Sequence, residues 1–136
     1  MFGQWGAFRD PAVPRCYAIA AALSERPEQA GYASVGTWPR RQVRGQVSLR
    51  LSRTLAASSA IRLAIGEQRF QLTGGGAKAW AADPRMDAAI VAAMRSARSL
   101  SVTATDRAGR RFTDRYRLDG AATALDAATV GCAKVR

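Results

Sequence analysis

The sequence predicts a mainly β protein: an antiparallel β-sandwich or bent sheet of about eight strands, with two short helices at about 84–95 and 120–130. Three observations predict it. Apolar residues alternate with polar ones from Trp5 to Thr73, the alternation resumes between Leu100 and Leu118, and helical spacing is confined to two stretches. No internal repeat or linker divides the chain, so residues 1–136 are expected to form one β-rich domain.

The elements follow in order. Trp5 opens the alternating region, and Cys16 to Leu23 and Tyr32 to Trp38 read as strands on either side of a polar loop from Ser24 to Gln29. Gly45 to Arg53 places Val47, Leu49 and Leu51 on one face and Gln46, Ser48, Arg50 and Ser52 on the other, as in a half-buried antiparallel strand. Ile61, Leu63 and Ile65 repeat the pattern. Gly66-Glu67 then makes a tight turn into Gln68, Phe70 and Leu72, so residues 60–73 read as a hairpin. Gly74-Gly-Gly76 is expected to turn the chain into a short strand through Trp80.

At Asp83-Pro84 the period changes, because Asp is a preferred N-cap and Pro suits the first helical position; Met86, Ile90, Val91 and Met94 follow at helical spacing. Leu100, Val102 and Ala104 return to alternation, Asp106 to Gly109 carries turn chemistry, and Phe112, Tyr116 and Leu118 make a last strand with Arg115 and Arg117 facing away. Asp114 falls on the apolar side of that strand. It is expected at an edge or bulge, or else as a buried carboxylate paired with an Arg. The Ala-rich stretch from Gly120 to Thr129 reads as a second helix, with Gly131 as its stop. Trp5, Phe8 and Trp80 are expected in the core.

Composition bounds the function. At 136 residues, with 48% hydrophobic and 23% charged, the chain has enough apolar material for a core and none of the bias of a disordered or fibrous sequence. Lys+Arg 21 against Asp+Glu 10 gives +11, and only Lys78 and Lys134 among the cations are Lys. Arg with Ala enrichment is what a GC-rich coding sequence supplies, yet the resulting field attracts polyanions whatever its origin. The chain has no His, which removes the commonest neutral-pH base and metal ligand. The longest apolar run, Tyr17 to Leu23, is too short to span a membrane. The first residues lack the pattern of a signal peptide, so either a leader has been removed or the protein is cytosolic.

Cys16 and Cys132 are too far apart for a CxxC metal or redox motif. A bridge between them would close nearly the whole chain, contribute roughly 4–5 kcal/mol and require an oxidising compartment. The alternative is two unrelated buried thiols in a cytosolic protein.

Candidate chemistry is thin. Ser34, in Gly31-Tyr-Ala-Ser34-Val-Gly36, misses the spacing of a nucleophile elbow and has no His to serve it. The carboxylates are scattered over turns and caps, with Asp83 and Asp87 explained by a helix start. Gly74-Gly-Gly76 before Lys78 lacks the ending of a phosphate loop and reads as a hairpin turn. No cofactor or metal is expected. Basic residues interleave with aromatics in Trp38-Pro-Arg40-Arg41-Gln-Val-Arg44, Arg110-Arg111-Phe112 and Arg115-Tyr116-Arg117.

Four segments, Gly3-Gln-Trp5, Arg15-Cys16-Tyr-Ala-Ile19, Arg69-Phe-Gln-Leu72 and Leu118-Asp-Gly-Ala-Ala-Thr-Ala-Leu125, carry a resemblance to the invasion-associated locus B family over almost the whole chain. The resemblance implies a secreted or periplasmic bacterial protein with a β-rich fold and no known enzymatic activity, associated with host-cell invasion in pathogenic members. Family members commonly carry a cysteine in the first strand; here Arg9-Asp10 occupies that region and only Cys16 matches. The substitute pairing is Cys16 with Cys132.

The expected function is an exported, non-enzymatic, cationic protein of the bacterial envelope. It would bind an anionic polymer or a protein partner through Arg40, Arg41, Arg44, Arg110 and Arg111, which fall at turns where side chains reach outward. Its rival is a cytosolic nucleic-acid binder using Trp38. An unusual enzyme would need Asp114 or Asp10 beside an Arg or Tyr in a pocket.

Overall fold

A computed structural model describes residues 1–133; Lys134, one of the two lysines, lies outside them. Nine strands are present: β1 (Trp5–Asp10), β2 (Arg15–Ala21), β3 (Tyr32–Trp38), β4 (Val43–Arg50), β5 (Ile61–Ile65), β6 (Gln68–Gly75), β7 (Lys78–Trp80), β8 (Ser99–Thr105) and β9 (Arg111–Arg117). Helix α1 (Pro84–Ser96) precedes β8, and α2 (Ala121–Ala133) follows β9. All neighbours pair antiparallel, in the order β1-β2-β3-β4-β7-β6-β5-β8-β9.

The bent sheet is therefore the correct member of the expected pair, and among the described residues no second sheet faces it. An apolar sheet face must be covered by something. Here the two helices do it, together with the curl of the sheet, which makes a half-barrel around Leu49, Leu63, Ile65, Ile90, Met94, Leu100, Val102 and Tyr116. Each of these is at most 2% exposed, and burying a side chain of this size contributes about 1.5–3 kcal/mol. The curl brings the two ends of the sheet together. Trp5 Nε1 donates to the Arg117 carbonyl (2.9 Å), and the Leu23 amide donates to the Arg115 carbonyl (2.8 Å).

Local chemistry explains the elements. The β5–β6 hairpin pairs Ile65 with Gln68 across a two-residue turn, where Gly66 adopts the left-handed φ of 59° that such a turn requires. Asp83 caps α1, accepting the Met86 amide at 2.8 Å, and Pro84 stands at the first helical position. In α2, Ala121, Ala124, Leu125, Ala128 and Cys132 face inward, and the small alanines let the helix lie close to β1 and β2. This helix runs past Gly131 to Ala133, where the sequence suggests a stop, because Cys132 is bonded to Cys16 of β2 (Cα–Cα 5.7 Å) and holds the last turn on the sheet.

Three placements depart from the sequence reading. Phe8 and Trp80 are not core residues: they are 48% and 41% exposed, because strand alternation turns Ala7 and Ala79 inward and sends these aromatics to the outer face. Gly74 and Gly75 belong to β6, and the turn proper is Gly76-Ala77; a side chain on Gly74 would strike Ile61 and the Lys78 carbonyl. Asp114 is on β9, which ends the sheet order, as the edge alternative expects; it is nevertheless buried in regular register opposite Val102, with no bulge, and its partner is Ser52, not an Arg.

Candidate functional site

The largest concentration of predicted site residues is where β3, β4 and the turn between them meet α1 and α2. A groove of about 720 Å³ lies there, with Val35, Val91, Leu125, Ala128 and Cys132 forming an apolar floor. Arg44 and Arg95 border it, and Arg95 is tied to Asp126 across the helices at 2.8 Å. The bridge between Cys16 and Cys132 closes one end of this groove and fixes the distance between α2 and β2.

Two further contacts set its shape. Asp87 of α1 accepts the Val47 amide at 2.9 Å. β7 spans only three residues and its pairing with β4 stops at Ser48, so the Val47 amide would otherwise have no strand partner. Burial raises the Asp87 carboxyl above its ordinary value, with the Val47 bond opposing and the Asp83 charge adding to the rise. On the approach to β4, Gln42 takes a left-handed φ of 58° as it ends the 3-10 turn Pro39–Arg41.

The five arginines expected to bind anions do not form one cluster. Arg40 and Arg41 belong to the 3-10 turn and Arg44 to the start of β4, so these three are close along the chain, and of them Arg44 borders the groove. Arg110 and Arg111 sit on the β8–β9 hairpin, with four strands between β4 and β9 in the sheet order. All five are exposed, and among the described residues none is in an ion pair. The hairpin is held by Asp106, which accepts the amides of Ala108 (3.0 Å) and Arg110 (2.9 Å) and a bond from Arg53 (3.1 Å). The Arg110 amide, ahead of Arg53 and Ala108, holds this carboxyl below its ordinary range.

Trp38 is on the outer face, its ring lying over Gly36. Beside it, Phe8 and Tyr17 stack across β1 and β2 (centroids 5.5 Å, planes 24° apart), and the Arg15 guanidinium lies 5.0 Å from the Tyr17 centroid. Parity and register together set this row of outward aromatics: Tyr17 alternates with inward Cys16 and Ala18, and β1 pairs Phe8 with Tyr17.

The candidate reactive groups lie apart. Both Asp114 oxygens are taken by Ser52, one by its amide (2.9 Å) and one by its hydroxyl. Tyr116, on the same strand and face, is buried; that burial and the Asp114 charge push its hydroxyl well above the ordinary tyrosine value, so it stays protonated. Asp10 faces Arg15 at 3.7 Å on the surface. Ser34 is mid-strand in β3, opposite Ile19 and Ser48. No group of three or more His, Cys, Asp or Glu side chains suited to a metal occurs among the described residues, and no described helix is long and apolar enough to cross a membrane.

Comparison with known proteins gives a consistent picture. The family model described as "Invasion associated locus B (IalB) protein" matches residues 7–129. Among solved structures, the invasion associated protein B from Bartonella henselae is similar in fold, with a TM-score of 0.72 at 17% identity, over 96% of this chain and 94% of that one. No curated protein matches the sequence significantly. Two of the segments that carry the family resemblance meet in space: Gly3 packs on Asp119, and Gly120, at φ 86°, leaves no room for a side chain beside the Phe2 carbonyl.

Proposed function

The chain belongs to the invasion associated locus B family, and from that premise we propose that it is an exported, non-enzymatic protein of the bacterial envelope whose cationic surface holds an anionic partner. The observation that carries this reading is the Cys16–Cys132 bridge, which spans a sequence separation of 116 and requires an oxidising compartment to form and persist. The charge balance supports the choice of partner. With a net charge of +11 and three ion pairs among the described residues, most arginines keep their full field toward solvent.

The absence of His from the sequence, and the full use of Asp114 and Asp106 as local hydrogen-bond acceptors, support a binding role over a catalytic one. The cytosolic nucleic-acid alternative is disfavoured by the same bridge. Retention on immobilised heparin and on lipopolysaccharide across a salt gradient tests the reading. The wild-type chain is expected to elute well above physiological salt, and elution at or below about 0.1 M salt, with no difference between the two columns and a neutral resin, refutes it.

A further inference from the structure

Strand register gathers a different set of arginines from those at the turns. On the face of β6, β5, β8 and β9 that points away from the helices, one cross-strand row runs Arg69, Ala64, Ser101, Arg115, and the next runs Gln71, Arg62, Thr103, Thr113. Arg111 and Arg117 flank these rows on β9. The inward neighbours Leu63, Ile65, Leu100, Val102 and Tyr116 are buried, so the alternation fixes this face outward. All five arginines are exposed, and among the described residues none is in an ion pair. The rows themselves carry no carboxylate; Glu67, in the hairpin turn, stands at their margin.

The spacing is that of a sheet. Arg115 and Arg117 are about 7 Å apart along β9, and Arg69 and Arg115 are about 14 Å apart across three strand spacings. A shallow depression of about 760 Å³, bordered by Arg62, Arg69 and Arg111, places Gln71, Thr103 and Thr105 among the guanidinium groups. We propose that this outer face binds a linear anionic polysaccharide, its sulfate, phosphate or carboxylate groups held by Arg62, Arg69, Arg111, Arg115 and Arg117, with Arg69 using the guanidinium nitrogens other than the one bonded to the Gly66 and Gln68 carbonyls, and its hydroxyls held by the Thr and Gln side chains between them. The proposal rests on the reading of the chain as a cationic binding protein and names the class of partner and its contacts.

The observations favour a polysaccharide over two other polyanions. Single-stranded nucleic acid needs a run of exposed aromatics for stacking; the rows of this face carry none, Trp80, paired with Thr73, stands singly beside β6, and the outward aromatics Phe8, Tyr17 and Trp38 belong to β1, β2 and β3. A lipid surface is gripped through large apolar side chains that enter the headgroup boundary; the rows of this face hold Arg, Thr, Ser, Gln and Ala, while Phe70, which also lines the depression, packs against the core and Trp80 stands singly at the border.

The test measures binding of the full chain to heparin oligosaccharides, as the probe polyanion, from 0.05 to 0.5 M salt. In R62Q/R115Q/R117Q the slope of log K against log salt is expected to fall by about 2–3, and affinity at 0.1 M salt by about a hundredfold. In R40Q/R41Q/R44Q it should change by less than about threefold. Far-UV circular dichroism and Tm check that both fold; should the triple variant not, R62Q and R115Q singly are each expected to lower the slope by about 0.7–0.9. Loss of binding in the R40Q/R41Q/R44Q variant alone overturns this face while leaving the binding reading intact. No binding by the wild-type chain overturns both. Tighter binding to poly(dT), or to vesicles containing phosphatidylglycerol, overturns the polysaccharide assignment.

Discussion

Removing the bridge in C16A/C132A removes a constraint whose size follows from its place in the chain. With a sequence separation of 116, the chain-entropy relation gives a contribution of about 5 kcal/mol from restriction of the unfolded ensemble. That is a large share of the total stability of a domain this size, commonly about 5–15 kcal/mol. Both sulfur-bearing residues are buried, at 1% and 7% exposure, against Ala128 and Ala7, so alanine also removes packing under the last turn of α2. For a urea m-value of about 2 kcal/mol/M, the midpoint should fall by about 2.5 M, or the variant should be unfolded before denaturant is added. The assay is urea denaturation followed by circular dichroism on the wild-type chain, the wild-type chain with reductant, and the double variant. Reduced wild-type and C16A/C132A should coincide within about 1 kcal/mol. A midpoint shift below about 0.5 M in both would refute the reasoning, since it would mean that the bridge joins segments already held together in the unfolded chain.

Asp87→Ala should cost about 1–2 kcal/mol by stranding the Val47 amide, whereas Asp87→Asn keeps an acceptor and, without the charge that burial penalises, should be as stable as wild type or more so at pH 7; the two midpoints in urea decide it. Since the folded state raises this carboxyl, its stabilising contribution is present below the ordinary value of 3.8 and lost as pH rises through the folded value, and Asp87→Asn should flatten that limb of the stability curve. Asp106 behaves oppositely: its carboxyl is lowered, so its contribution is present above 3.8 and lost as pH falls through the folded value, and Asp106→Asn should lessen the drop in Tm between pH 4 and pH 2. Gly120→Ala forces a side chain into a left-handed φ of 86° and against the Phe2 carbonyl; a cost above about 1 kcal/mol, seen as a Tm fall of about 3–5 °C, is expected, and a Tm within 1 °C of wild type would show that the first residues do not seat there.

The elements that sequence made legible are those decided by neighbours in the chain. Alternation and Gly66 make the β5–β6 hairpin, and Asp83-Pro84 starts α1 within one residue of where it begins, because a turn and a cap need only local groups. The two misplaced aromatics share one cause. Phe8 and Trp80 look like core residues by type, but a strand position is governed by parity, and their parity is outward. Asp87 reads as a helix-start carboxylate; its second role, meeting the Val47 amide, depends on where β7 ends beside β4 and has no signal in the residues around it. The candidate anion contacts divide the same way. Proximity in sequence joins Arg40, Arg41 and Arg44, whereas Arg62, Arg69 and Arg115 are neighbours only because β6, β5, β8 and β9 pair in that order.

By itself, then, the amino-acid order determined the class of fold, its two helices, the surplus of positive charge and the lack of His, all properties that survive without knowing which segment lies beside which. The tertiary structure decided the insertion of β7 between β4 and β6, the closure of Trp5 onto Arg117, the bridge from β2 to the end of α2, and the assembly of distant arginines on one outer face. The physical reason is that strand pairing joins residues far apart in the chain through backbone groups that are the same in every residue. Which segments pair is then chosen by the joint burial of one apolar face, a quantity that no short stretch of sequence contains.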